Sequence, residues 1–245
     1  MSLKELCLRA VRDDAAELAA AARVDPAARV PSCPDWSLRE LVDHTGRVHH
    51  WVDGIVRSRA QERVRFVDQA GGPEEPAAGV RWFEQGTASM LAALAGVDEE
   101  EPVWNWFRGV APARFWMRRM ALETSMHRWD GQAAVPPPQP IDTAVALLGV
   151  DEMLDDLLPL LRTQAQELST DAAMHLHCTD AEGEWLVRFG ADGATVSREH
   201  AKGDVAVRAT ASDLYLLLWN RIGAEHLEVF GDGALLRRWA ELIRI

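Results

Sequence analysis

The chain has 245 residues, 48% of them hydrophobic and 26% charged, with a formal net charge of −12. That length can bury a full core, and the acidic balance argues against nucleic acid or an anionic membrane as a partner. No apolar run of about 18 residues is present to span a bilayer. The charged start MSLKELCLRAVRDD is not expected to act as a secretory leader, and Cys7, Cys33 and Cys178 make no CxxC pair. A cytoplasmic protein with free thiols is expected.

The first 133 residues read as helices. Ser2 and Glu5 form an S-x-x-E capping box that opens a helix to about Arg23, with Leu3, Leu6, Ala10 and Leu18 inward. The three prolines of DPAARVPSCPDW break it. Ser37 and Glu40 form a second box, starting a helix to about Arg59 with Leu41, Val48, Trp51, Val52 and Ile55 on its apolar face. A polar loop through AGGPEEPAAG precedes a third helix over about 80–94, and a fourth covers about 112–132. This pattern describes a four-helix bundle.

VPPPQPID marks a boundary, because consecutive prolines cannot continue a helix. The expected domains are 1–133 and 141–245, joined by a Pro-rich linker over 134–140. Past the linker one helix is expected over about 143–164, and then the period changes from helical to alternating. AMHLHC and EWLVRF form a β-hairpin around TDAEG, GATVSRE and DVAVRAT are strands, and HLEVFG is a short strand between the helices SDLYLLLWNRI and GALLRRWAEL. The second half is a small α+β domain.

Chemistry concentrates on the fourth helix. Glu123 and His127, four residues apart, share an apolar stripe with Trp116 and Met120, flanked by Phe115, Leu122, Met126 and Trp129. A carboxylate facing an interior costs several kcal/mol unless a cation meets it, and a shared divalent metal would supply one. A third ligand must come from another helix. His44 aligns with Leu41, Val48, Trp51 and Ile55 and is the preferred candidate; His49 aligns with Val42, Thr45, Val52 and Val56 and is second; His50 lies on a solvated side. The competing reading has no metal, with a protonated Glu123 hydrogen-bonded to a neutral histidine. The tryptophans Trp36, Trp51, Trp116 and Trp129 are expected to wall a cavity, with Trp104 and Trp106 placed to reach over its mouth.

These residues carry a resemblance. VPSCPDWSLRELVDHTGRVHHW is similar to the N-terminal signature of the mycothiol-dependent maleylpyruvate isomerase family, in the DinB-like four-helix-bundle superfamily, through C-P-x-W, a capping Ser and L-x-x-H. ALETSMHRWD resembles the family's E-x-x-x-H-R-W-D. SDLYLLLWNR with VFGDGALLRRW resembles its C-terminal, sterol-carrier-protein-like domain. The resemblance implies a metal held by His44, Glu123 and His127, with zinc first and nickel, iron or manganese as alternatives. It implies mycothiol as thiol cosubstrate, an electrophilic small molecule as substrate, and cis–trans isomerisation or S-transfer as the reaction. It also implies a catalytic role for Arg221, whose bland reading is a surface arginine at a helix C-terminus. A protein of this fold that binds metal or a small ligand without catalysis is the alternative, and a monomer or homodimer is expected.

Overall fold

The computed structural model describes residues 1–168 and 171–243. The chain divides into two compact units, Met1–Gln139 and Pro140–Ile245.

In the first unit both capping boxes form. Glu5 N donates to Ser2 Oγ at 3.2 Å and Ser2 N to Glu5 Oε2 at 2.8 Å, starting α1 (Leu3–Val24). Ser37 and Glu40 do the same for α2 (Leu38–Ser58). Leu6, Ala10 and Leu18 are buried as expected, whereas Leu3 in the first turn is exposed. Between these helices the proline-containing segment is an ordered hairpin of β1 (Arg29–Val30) and β2 (Cys33–Ser37). The third helix, α3 (Pro76–Gly96), begins earlier than its apolar pattern suggests. Pro76 suits its first position, and the Glu75 carboxylate accepts from Ala77 N and Ala78 N at 2.9 and 2.7 Å. A second hairpin, β3 (Pro102–Asn105) and β4 (Gly109–Pro112), precedes α4 (Arg114–Ala134). Helix α1 packs on α3 and α4, and α2 packs on the same two, closing the four-helix bundle. Leu18, Leu38, Leu41, Val42, Val80 and Phe83 fill one end of its core.

The second unit does not contain the single helix expected over 143–164. α5 (Thr143–Asp151) gives way to a π-helical stretch, Glu152–Leu157, then a turn, before α6 (Arg162–Leu168). Pro159 is the physical reason: it has no amide hydrogen, and its ring crowds the carbonyl one turn back. The five strands β5 (Ala172–Cys178), β6 (Glu184–Gly190), β7 (Gly193–Ser197), β8 (Val205–Ala209) and β9 (Glu228–Gly231) form one sheet in the order β7-β6-β5-β8-β9. Only the β5–β8 pair is parallel, and α7 (Ala211–Leu218) packs against both of its strands. α8 (Ala234–Leu242) pairs with α6. Met174, Leu176, Trp185, Val187 and Phe189 alternate into the core of this unit. Among the described residues, no helix is long and apolar enough to cross a membrane.

Candidate functional site

Helix α4 sets the floor of the site. Its apolar stripe is buried as the spacing requires: Trp116 and Met120 are each 1% exposed, and Glu123 and His127 follow one and two turns on. Glu123 Oε1 lies 3.2 Å from His127 Nε2 and 3.5 Å from His44 Nε2, which arrives from α2. The other carboxylate oxygen pairs with Arg119, four residues earlier on α4. One atom from each of His44, Glu123 and His127 falls within a mutual 4.8 Å. The imidazoles of His44 and His127 meet edge to face, centroids 5.3 Å apart.

The orientation of His127 is set from behind. Its Nδ1 lies 3.0 Å from Oδ2 of the fully buried Asp130, whose Oδ1 accepts from Ser32 Oγ at 2.6 Å. Ser32 stands in the turn of the β1–β2 hairpin. With Nδ1–H donated to Asp130, His127 turns Nε2 toward Glu123.

The electrostatics follow from this packing. Burial works against ionising Glu123, but the charges of His127 and Arg119 and hydrogen bonds from both histidines hold its carboxyl well below the usual range. Burial likewise pulls His127 down, yet the Glu123 and Asp130 carboxylates outweigh it and raise the imidazole to about 9. Glu123 is therefore an anion facing a cation. A protonated Glu123 bonded to a neutral histidine, the metal-free arrangement considered from sequence, is not the state these groups favour.

The two leading histidines of α2 exchange the environments expected of them. His44 is half-buried, its side chain 29% exposed, between Trp36 (centroids 4.9 Å) and Phe66 (6.1 Å). His49 is completely buried, with Nδ1 2.8 Å from Thr87 Oγ1 and Nε2 3.0 Å from Thr124 Oγ1. Burial drives the His49 imidazole down to about 3, so it is a neutral core residue. His50 is not solvated either. It stacks on Trp82 at 4.6 Å, in space kept open by Gly86, where a Cβ would come within 2.5 Å of the ring.

The aromatic residues divide between core and cleft. Trp116 is core, donating Nε1–H to Trp104 O at 2.9 Å, and Trp104, in β3, is largely buried but reaches the wall of the adjoining cleft. Trp106 is 46% exposed. With Trp51, Phe66, Arg63 and Arg65 it lines a cleft of about 590 Å³. Phe66 is shared between that cleft and the surroundings of His44. Cys33, in β2, is half-buried and forms no disulfide.

Two family models match the chain. The model described as "Mycothiol maleylpyruvate isomerase N-terminal domain" matches residues 8–132, and the corresponding C-terminal domain model matches residues 144–238. The chain belongs to the mycothiol maleylpyruvate isomerase family. Solved structures similar to this family member include one described as the mycothiol-dependent maleylpyruvate isomerase. It shares 12% identity at a TM-score of 0.66, covering 94% of this chain and 93% of that one. A histidine-to-alanine mutant of that enzyme aligns over the same extent at a TM-score of 0.64. At such identity the likeness is one of fold. No curated protein matches the sequence.

Sequence reasoning passed over Asp130, Arg119 and Ser32. The first two were within reach: Asp130 follows His127 by three residues and Arg119 precedes Glu123 by four, both spacings that share a helix face. Ser32 carried no such signal, since only the hairpin brings it to α4. Arg128, in the same HRWD motif, turns the other way and bonds Asp14 of α1 through Nε at 3.0 Å. Arg221 follows α7 in the second unit, donating to Trp219 O at 3.0 Å with its guanidinium 5.9 Å from the Trp219 ring centre.

Proposed function

We propose that the bundle holds one divalent metal ion through His44 Nε2, the Glu123 carboxylate and His127 Nε2, and that the protein is a mycothiol-dependent cis–trans isomerase of maleylpyruvate-like substrates. One observation carries the metal. Asp130 accepts the Nδ1 proton of His127 and so fixes its Nε2 toward Glu123 Oε1, 3.2 Å away, while His44 Nε2 approaches the same oxygen at 3.5 Å. Without metal a proton on His127 holds this meeting together; a divalent ion would take that proton's place among three donor atoms that already lie within 4.8 Å of one another. Two imidazoles and a carboxylate suit zinc first, with nickel, iron and manganese acceptable to the same donors.

Zinc bound there would supply Lewis acidity that keeps a coordinated thiol ionised at neutral pH. The chain's own residues do the rest. Asp130 and Ser32 hold the His127 ring in its productive tautomer, and Arg119 occupies the Glu123 oxygen turned from the histidines, fixing the carboxylate. Trp36 and Phe66 flank His44 and limit water at that edge. The neighbouring cleft carries the guanidiniums of Arg63 and Arg65, groups suited to a dicarboxylate.

In the reaction the sulfur adds to one carbon of the activated cis double bond, and the π electrons move toward the conjugated carbonyl. The remaining single bond rotates. The electrons return, the carbon–sulfur bond breaks, and trans product and intact thiol leave. Stabilising the charge that develops on the carbonyl oxygen is the role proposed for Arg221. Among the described residues no disulfide forms, which fits a reducing, cytoplasmic setting for such a thiol.

Elemental analysis of the purified protein beside His127→Ala tests the metal, and unchanged metal content in the variant rules out this ligand set. Incubation with mycothiol and maleylpyruvate tests the chemistry. An isomerase returns its thiol undiminished, a transferase consumes it stoichiometrically, and a binding protein does neither above the metal-free control.

A further inference from the structure

A second group of histidines gathers on the sheet of the C-terminal unit. Alternation along β5 sends Met174, Leu176 and Cys178 into the core and leaves His175 and His177 together on the opposite face. Across the strand pair His177 is in register with Glu184 of β6, which places that carboxylate on the same face. His200 comes from a separate segment, the connection between β7 and β8. All three rings converge on the one carboxylate: His175 Nε2 is 2.5 Å from Oε2, His177 Nδ1 is 2.5 Å from Oε1, and His200 Nδ1 is 3.0 Å from Oε1. Guanidiniums on this face are engaged with other acids, Arg188 with Glu199 and Arg208 with Glu228.

From this convergence we infer that His175, Glu184 and His200 form a second divalent transition-metal site, with His177 positioning the carboxylate. Donor atoms of the three ligands lie within 4.8 Å of one another, close enough for one ion to draw in all of them at bond lengths of about 2.0–2.2 Å. The His175 and His200 rings meet edge to face, centroids 5.0 Å apart, with both turned to the Glu184 carboxylate. His175 is 5% exposed and anchored in the middle of the sheet, whereas the His200 side chain is 77% exposed. Binding therefore fastens a surface connection to a rigid strand. Imidazole and carboxylate donors select zinc, nickel or copper over magnesium or calcium.

The full-length protein is dialysed against chelator-buffered Zn²⁺ and its bound metal counted, in parallel with a His175→Ala/His200→Ala variant. That variant is expected to hold one equivalent fewer than the parent, whatever the bundle cluster holds; equal stoichiometry overturns the inference. A His44→Ala/His127→Ala variant separates the two sites. It should keep the equivalent that the sheet variant loses, and a protein left with no zinc overturns the sheet site, whereas zinc undiminished from the parent leaves the sheet site standing and removes the bundle site. His200→Ala alone, at an exposed position that does not endanger folding, is introduced into that bundle-deficient protein. Its Zn²⁺ affinity is expected to fall at least about tenfold, and an unchanged affinity overturns the inference independently.

Discussion

The bundle cluster and the sheet cluster use the same alphabet, two histidines and a glutamate, but differ in what stands behind these side chains. In the bundle, His127 is backed by a buried Asp130, which is in turn held by Ser32, and the Glu123 side chain is only 15% exposed. On the sheet, Glu184 is itself the hub, and one of its partners is a solvent-facing residue on a loop. The bundle arrangement is pre-organised before any ligand arrives. The sheet arrangement has one fixed side and one side that can leave, which suits fastening better than chemistry.

If support from behind is what separates them, the largest effect comes from removing a supported ligand. His127→Ala is expected to lower thiol-dependent isomerisation at least about 100-fold and to abolish stoichiometric metal at the bundle, read by single-turnover kinetics and elemental analysis. Asp130→Asn keeps the shape but offers His127 Nδ1–H a weaker, uncharged acceptor. Metal affinity at the bundle should fall about 10–100-fold, measured by chelator competition.

His49 sharpens the contrast from the side of stability. Its folded-state value of about 3 lies below the ordinary imidazole value of 6.5, so the unfolded chain takes up the proton first as pH falls. The stabilisation is complete above pH 6.5 and erodes through the window down to about 3. Between pH 7 and pH 5 that linkage amounts to roughly 2 kcal/mol. Urea unfolding at the two pH values should show the loss, and His49→Leu should flatten it. The smallest effect is expected from Ser32→Ala, which deprives Asp130 of one donor and should cost about 1 kcal/mol in the same unfolding assay.

Local signals made much of the molecule legible beforehand. The capping boxes at Ser2 and Ser37, the stripe on α4 and the strand alternation around His175 and Glu184 all depend on neighbours within a few positions, and all are present. The convergence of His44 on Glu123 was readable as well, because both lie on strongly patterned helices. What escaped depends on distance or on a single residue. The β1–β2 and β3–β4 hairpins are too short to display an alternating pattern, and Pro159 alone decides the break after α5. The exchange between His44 and His49 had the same origin: a helix face is defined by its pattern, but which sector of it opens to solvent is decided by the other helices. His49 went inward because Thr87 of α3 and Thr124 of α4 were there to receive both of its nitrogens.

The bond between Ser32 and Asp130 joins positions 98 residues apart. A nascent chain emerging from the ribosome displays His44 early, yet under the proposed ligand set it would have nowhere to seat an ion until α4 has been synthesised and has docked against the hairpin. Metal capture at the proposed site would thereby be a late event in the protein's biogenesis, and a truncated translation product ending before Glu123 would carry His44 without the rest of the proposed ligand set.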